Sequence, residues 1–103
     1  MEINWQSEAR QDLKNYFKNT KTMHPEKYIS DLVKFVKNLK ISPNLGLSYI
    51  DLYGFEIREL IFKQHKIFYY IKNEKIIILH VIHSSRDSKN ILKIIKRYFN
   101  EKN

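Results

Sequence analysis

IIILHVIHSSRD, residues 76–87, begins as a nearly unbroken run of apolar side chains and ends in small polar and basic residues. A strand with apolar residues at almost every position has to be covered on both faces, so we predict that this run lies in the centre of a sheet. The polar end then brings His83 and Arg86 to the edge of that sheet. Functional side chains often collect at such places, because a rigid scaffold positions them.

Length and composition indicate a single small globular domain, residues 1–103. Hydrophobic residues make up 43% of the chain and aromatic residues 14%, which is enough apolar surface for independent folding. The absence of Cys excludes disulfides, a thiolate nucleophile and Cys-bound zinc, and suits a reducing compartment. The N-terminal residues do not resemble a signal peptide, and no apolar run approaches the ~18 residues that span a bilayer. We therefore expect a soluble, cytoplasmic protein with no membrane partner.

The net charge of +8 is distributed unevenly along the chain. Residues 1–54 carry a surplus of two positive charges, whereas residues 55–103 carry a surplus of six. A one-sided basic field favours nucleic acid, an acidic protein surface or anionic lipid as a partner, because it steers the encounter and releases counterions. The alternative is that the lysines serve only to keep the chain soluble.

The remaining hydrophobic patterns predict an α+β fold. The predicted elements are a strand around residues 3–5, a helix over 9–17 capped by Ser7, a helix over 25–40, strands within 49–62, 66–71 and 76–83, a tight turn at 73–74, and a last helix capped by Asp87 or Ser88. Two consecutive helices form a hairpin that needs a sheet to cover its apolar faces. We therefore predict a twisted antiparallel sheet with a helical hairpin on one face and a C-terminal amphipathic helix near its end.

The histidines do not form a metal-binding pattern. His80 and His83 are three residues apart on one predicted strand, so their side chains point to opposite faces and cannot share an ion. His24 and His65 lie in predicted turns, where we expect them to be solvated. The two glycines are too few for a phosphate-binding loop, and no serine has the glycine-flanked turn that exposes a nucleophile. We predict no metal, no cofactor and no small-molecule substrate.

Three cations lie on or next to successive predicted strands. Arg58, Lys66 and Arg86 are candidates for a cluster in which side chains from neighbouring strands converge on one phosphate or acidic group. The alternative for Arg58 is an ion pair with Glu56 or Glu59, a contact worth only ~0–1 kcal/mol on a surface. For Arg86 the alternative is likewise a carboxylate partner.

The last predicted helix has one apolar face and one basic face. Core packing explains the apolar stripe, although part of it could also dock a partner's helix. The basic face could follow a phosphate backbone or remain simply solvated. Together with His83 and Arg86, its cations form our candidate set for binding a target or another anion: Lys89, Lys93, Lys96 and Arg97.

The order of elements and three segments resemble the RelE/ParE superfamily of toxins from type II toxin–antitoxin modules. The segments are GFEIREL at residues 54–60, HKIFYY at 65–70, and 78–87 with its ending HSSRD. The resemblance covers nearly the whole chain. It implies a small α+β toxin that inhibits bacterial growth, takes part in functions such as plasmid stabilisation, and is neutralised by a cognate antitoxin protein.

The superfamily divides by target, and the RelE-like branch consists of ribosome-dependent mRNA endonucleases. Resemblance to that branch implies catalytic roles for Arg58, Lys66 and Arg86 in stabilising the phosphate transition state. Two departures weaken this interpretation: Glu56 stands where RelE-like enzymes carry a second lysine, and no tyrosine closely follows Arg86, since Tyr98 is well along the last helix.

The ParE-like branch poisons DNA gyrase without cleaving nucleic acid, and the ending HSSRD followed by a basic amphipathic helix looks more like it. A carboxylate at Glu56 would also repel a scissile phosphate. We therefore favour a gyrase poison over an mRNA endonuclease, which leaves the enzymatic status of the chain open. A nucleic-acid-binding module without toxicity is the second alternative.

Overall fold

Five strands form one sheet in the computed structural model, which describes residues 1–102. In chain order they are β1 (Glu2–Trp5), β2 (Leu47–Leu52), β3 (Phe55–Phe62), β4 (His65–Lys72) and β5 (Lys75–His83). Their order across the sheet is β1-β5-β4-β3-β2. Strands β2 to β5 form the antiparallel meander that the sequence predicts, whereas β1 runs parallel to β5. The sheet is therefore mixed: the helices carry the chain from β1 to β2 at the opposite edge, and the meander then returns it to β5 beside β1.

Three α-helices and one 3₁₀ turn complete the fold. They are α1 (Ser7–Asn19), α2 (Pro25–Val36), a 3₁₀ helix (Lys37–Lys40) and α3 (Ser88–Lys102). Asp87 caps α3 as predicted, with its Oδ1 accepting the Asn90 N–H at 3.0 Å. The predicted cap at Ser7 is wrong: Gln6 is the N-cap of α1, and the Ser7 hydroxyl donates to Glu8 instead. The predicted α+β class is confirmed.

Both faces of β5 are buried, as its apolar sequence requires. Ile76 and Ile78 pack into the cluster beneath the α1–α2 hairpin, whereas Ile77 and Leu79 pack into the cluster beneath α3. Between the pairs Ile78–Tyr69 and His80–Phe68 the register shifts by one residue, so that Leu79 is an extra residue in β5. Such a bulge reverses the alternation of side chains beyond it.

The two-residue hairpin turns at Tyr53–Gly54 and Asn73–Glu74 have the backbone geometry that turns of this length require. Tyr53 and Gly54 both have positive φ, at 52° and 85°, and so do Asn73 and Glu74, at 52° and 59°. Two successive residues with positive φ give the type I′ turn, whose twist matches that of the flanking strands. The predicted turn at Asn73–Glu74 is thereby confirmed. Within residues 1–102, no helix combines the length and apolar character needed to cross a bilayer.

A buried tyrosine fixes the loop that leads into β2. The Tyr69 hydroxyl accepts the Gly46 N–H at 2.9 Å and donates to the Pro43 carbonyl at 2.8 Å. A Cβ added to Gly46 would lie 2.7 Å from the Tyr69 ring and 2.9 Å from the Glu59 carbonyl oxygen. Only glycine allows this close approach, so the position of the loop depends both on the Tyr69 ring and on a glycine at position 46.

Replacing Tyr69 with Phe should destabilise the fold measurably. The substitution keeps the buried ring but leaves two backbone groups of the loop without their partner, a loss of about 1–3 kcal/mol. Urea denaturation of the wild type and Tyr69→Phe measures the difference. Tyr53→Phe, which removes an exposed hydroxyl, is the matched control and should change stability by less than about 0.5 kcal/mol. Equal losses for the two variants would contradict the role assigned to the Tyr69 hydroxyl.

Candidate functional site

The predicted convergence of Arg58, Lys66 and Arg86 is wrong. Lys66 pairs across the sheet with Ile61, which is three residues from Arg58 along β3. Side chains three apart on a regular strand point to opposite faces, so Arg58 and Lys66 lie on opposite sides of the sheet. Arg58 faces the α1–α2 hairpin, and Lys66 faces the side of α3. Three cations that lie on two faces cannot hold one phosphate between them.

Arg58 is fully engaged by its own surroundings. Its guanidinium lies 2.7 Å from a carboxylate oxygen of Glu56 and donates to the Gly46 carbonyl at 2.6 Å and the Asn44 carbonyl at 3.3 Å. Only 19% of the side chain is exposed. The ion pair with Glu56 was the alternative interpretation of Arg58, and it is confirmed. Arg58 fastens the loop before β2 to the sheet.

Lys66 also has an acidic neighbour on its own face. Its ammonium lies 3.9 Å from Glu59 Oε2, an oxygen that is buried and has no hydrogen-bond partner among the described residues. A buried carboxylate without hydrogen bonds is unfavourable unless a positive charge compensates it. The lysine therefore serves to balance Glu59, which leaves little of its charge for a ligand.

The other predicted site residues divide into two groups, of which only one lies at the end of β5. His83, Arg86 and Arg97 line one groove of about 380 Å³, which we call the β5-end groove. The remaining lining residues come from α1, β4, β5 and α3: Asp12, Asn15, His65, His80, Val81, Ile82 and Ile94. Lys89, Lys93 and Lys96 are exposed elsewhere on α3 and do not line the groove.

The groove exists because β1 is shorter than β5. Pairing between the two strands ends at Trp5 and Ile78, so the last residues of β5 pair with β4 but have no strand on the β1 side. Asp12 of α1 takes this place: its Oδ2 accepts the Val81 N–H at 2.8 Å and lies 2.9 Å from His80 Nδ1. Nothing in the sequence pattern singles out Asp12, which resembles any other polar residue on an amphipathic helix.

A compact turn presents Arg86. The Ser84 N–H donates to the Gln64 carbonyl at 2.8 Å, and the Arg86 N–H donates to the His83 carbonyl at 3.0 Å. The Ser85 N–H and hydroxyl both lie within hydrogen-bond distance of His83 Nδ1, at 3.1 and 2.7 Å. The backbone on either side of Arg86 is therefore held in place while its side chain remains exposed.

The two arginines of the groove keep their charge available. Among the described side chains, neither Arg86 nor Arg97 has a carboxylate within ion-pair distance. Asp12 is the only carboxylate among the described residues that line the groove, and it is already engaged by His80 and Val81. A concave surface with two guanidinium groups that lack an ion-pair partner among the described side chains favours a carboxylate or a phosphate as its ligand. Within the same part of the chain, no group of three acidic, histidine or cysteine side chains could hold a metal.

His65 is buried, with 8% exposure, and the prediction that it is solvated is wrong. It opens β4 opposite His83, so the sheet register brings the two rings to 5.3 Å. Its Nδ1 lies 2.7 Å from the Tyr28 hydroxyl, and its ring makes a T-shaped contact with Tyr16. Burial, and secondarily the charge of His83, lowers the pKa of His65. The buried ring is therefore neutral near pH 7.

Comparison with known proteins places this geometry in a family. A family model described as "ParE toxin of type II toxin-antitoxin system, parDE" matches residues 3–88. The chain belongs to the ParE toxin family. This toxin is therefore one component of a type II module, in which the other component is a protein antitoxin. The resemblance to the RelE/ParE superfamily is confirmed, and nothing favours the RelE-like alternative.

The solved structures include a similar fold, from the chromosomal ParDE toxin–antitoxin system of P. aeruginosa. That chain shares 23% identity with this ParE toxin at a TM-score of 0.63, over 81% of this chain and 95% of the other. No curated protein matches the chain. The family match ends at the first residue of α3, so the β5-end groove is built partly from matched strands and partly from a helix outside the match.

The depressed pKa of His65 should make stability depend on pH. The unfolded chain binds a proton near the ordinary histidine pKa of 6.5, while the folded chain binds it only at lower pH. The contribution of neutral His65 to stability should therefore be fully present above about pH 7. The free energy of unfolding should decrease as the pH falls toward about 5.

Denaturation with urea across this pH range tests the assignment to His65. His65→Asn retains a polar group near the Tyr28 hydroxyl but does not titrate, so its stability should depend less on pH. His24→Asn removes an exposed histidine as a control and should keep the slope of the wild type. An unchanged slope in His65→Asn would show that other groups cause the dependence.

Proposed function

We propose that this ParE toxin inhibits DNA gyrase by binding it through the β5-end groove, without cleaving nucleic acid. One observation carries the proposal: Arg86 and Arg97 share a concave surface and have no ion-pair partner among the described side chains, whereas Arg58 and Lys66 are compensated by glutamates on opposite faces of the sheet. Of these four cations, the two that remain available for a ligand lie in the groove.

The arrangement of charges argues against an mRNA endonuclease. Catalysis of phosphate cleavage requires positive groups already aimed at the position where charge develops in the transition state. Arg58 and Lys66 are separated by the sheet, and a carboxylate of Glu56 lies next to Arg58. Binding to a large target has no such demand, because exposed cations steer association from a distance.

The exposed lysines of α3 extend the positive field beyond the groove. Lys89, Lys93 and Lys96 recur at helical spacing and are exposed, so they can approach an extended anionic surface together. We propose that they strengthen association with gyrase or its bound DNA, while Arg86 and Arg97 fix the position of the toxin. Salt should weaken the lysine contribution most, since these side chains are exposed and lie outside the groove.

We further propose that the cognate antitoxin neutralises the toxin in the cytoplasm by covering the same groove. A segment with carboxylate side chains would compensate the two free guanidinium groups. If that segment folds only when it binds, the cost of ordering it reduces the net affinity and keeps the neutralisation reversible. Binding of target and antitoxin would then exclude each other.

The decisive experiment compares gyrase supercoiling and in vitro translation in the presence of the purified toxin. We expect supercoiling to be inhibited and translation to continue. The double variant Arg86→Ala/Arg97→Ala should lose at least about tenfold in potency, because two charge contacts at the centre of the binding surface are removed. Lys34→Ala/Lys37→Ala removes the same charge from exposed positions on the helical hairpin and should retain potency within about twofold.

Other outcomes would overturn the proposal. Inhibition of translation alone, abolished by Arg58→Ala, would favour an endonuclease. Inhibition of neither process, combined with strongly salt-dependent binding to naked DNA or RNA, would favour a nucleic-acid-binding module without toxicity. Circular dichroism of each variant establishes that lost activity does not reflect lost folding.

A further inference from the structure

A second cavity adjoins the β5-end groove on the side of α1. It has a volume of about 300 Å³ and combines aromatic rings with neutral polar side chains. We call it the Tyr16 pocket, and its lining residues are Tyr16, Asn19, Thr20, Thr22, Gln64, His65 and His83. Within the part of the chain that the structure describes, no arginine, lysine or carboxylate lines it, so its chemistry differs from that of the groove.

The rings of the pocket are held in fixed orientations. Tyr16 stacks on Tyr28 at 5.1 Å and 10°, and it meets His65 edge-on at 4.9 Å. His65 in turn meets His83 edge-on at 5.3 Å. Because His65 is also hydrogen-bonded to Tyr28, this aromatic wall is organised before any ligand arrives. A preorganised aromatic surface favours planar ring systems, including nucleobases.

The polar rim of the pocket supplies groups that match the edge of a base. The side-chain amides of Asn19 and Gln64 are exposed, and neither has a hydrogen-bond partner among the described residues. Each amide offers one donor and one acceptor side by side, the pattern used for bidentate contacts with bases. The hydroxyls of Thr20 and Thr22 are 2.9 Å apart and bond to each other, which leaves the amides as the free recognition groups.

The pocket and the groove are neighbours that share two lining residues. His65 and His83 line both cavities, and Arg86 and Arg97 lie on the groove side. A ligand with its ring in the pocket would therefore direct an attached phosphate toward the arginines. The burial that keeps His65 neutral also favours an uncharged ring system next to it rather than an anion.

We propose that the Tyr16 pocket binds the base of an unpaired nucleotide while the β5-end groove holds its phosphate. Paired bases are excluded, because the ring must leave its stack to enter a pocket of this size. The nucleotide could be free or part of a single strand, since both present the same base and phosphate. The proposal goes beyond gyrase inhibition and does not depend on it.

Calorimetric titration of the full chain with AMP and with ribose 5-phosphate separates the two parts of the site. Both ligands carry the phosphate and the sugar, but only AMP carries a base. We expect AMP to bind about tenfold more tightly, in line with the stacking of one base on an aromatic surface. Equal affinity would reduce the site to a phosphate-binding groove and overturn the proposal, as would the absence of AMP binding at millimolar concentration.

Asn19→Ala/Gln64→Ala tests the assigned contacts. Both residues are exposed, so the thermal unfolding transition should be preserved. We expect affinity for AMP to fall about fivefold or more and affinity for ribose 5-phosphate to stay unchanged, because only the base loses its partners. Asn38→Ala removes an exposed amide of the 3₁₀ helix, outside both cavities, and should bind AMP like the wild type. An equal loss of AMP affinity in the two variants would contradict the assignment of the base to the Tyr16 pocket.

A short single-stranded oligodeoxyadenylate and its duplex form distinguish the source of the nucleotide. Tighter binding of the single strand than of AMP identifies a strand as the ligand, and similar affinities identify the free nucleotide. Stronger binding of the duplex than of the single strand would contradict insertion of an unpaired base. Gyrase inhibition is measured separately, so the failure of nucleotide binding leaves the proposed function standing.

Discussion

The burial of β5 on both faces is the constraint from which the rest of the structure follows. Isoleucine side chains from alternate positions fill two separate clusters, one under the helical hairpin and one under α3. Each fully buried side chain of this kind contributes about 1.5–3 kcal/mol relative to exposure. A strand of this composition cannot lie at an edge or face water, so β1 and β4 must flank it and helices must cover both sides of the sheet.

The same strand carries the irregularity that creates the candidate site. Leu79 is an extra residue in the pairing with β4, and β1 stops opposite Ile78. Beyond this point the side chains of β5 alternate in the opposite sense, and the edge of β5 on the β1 side has no strand next to it. Asp12 satisfies the backbone there, and the groove opens between α1 and α3. The site is thus a consequence of where regular pairing ends.

Arg58 and Arg86 have different roles because they lie at different places in the fold and have different neighbours. Arg58 is mostly buried, paired with Glu56 and bonded to two carbonyls, so its charge is used within the protein. Arg86 follows the end of β5 on a fixed turn and has no acidic partner among the described side chains. This division agrees with the proposed binding role, because binding needs an available cationic surface more than a converging catalytic cluster.

The sequence by itself determined the α+β class, the meander, the capped last helix and the family, because hydrophobic periodicity, turn residues and short motifs are local properties of the chain. It also brought His83 and Arg86 to the end of the central strand. Only the tertiary structure decided that β1 is parallel, that His65 is buried against Tyr28, and that Arg58 and Lys66 lie on opposite faces. These features depend on strand register and on contacts between residues distant in sequence, such as Asp12 and Val81, and a shift of one residue in register moves a side chain to the other face.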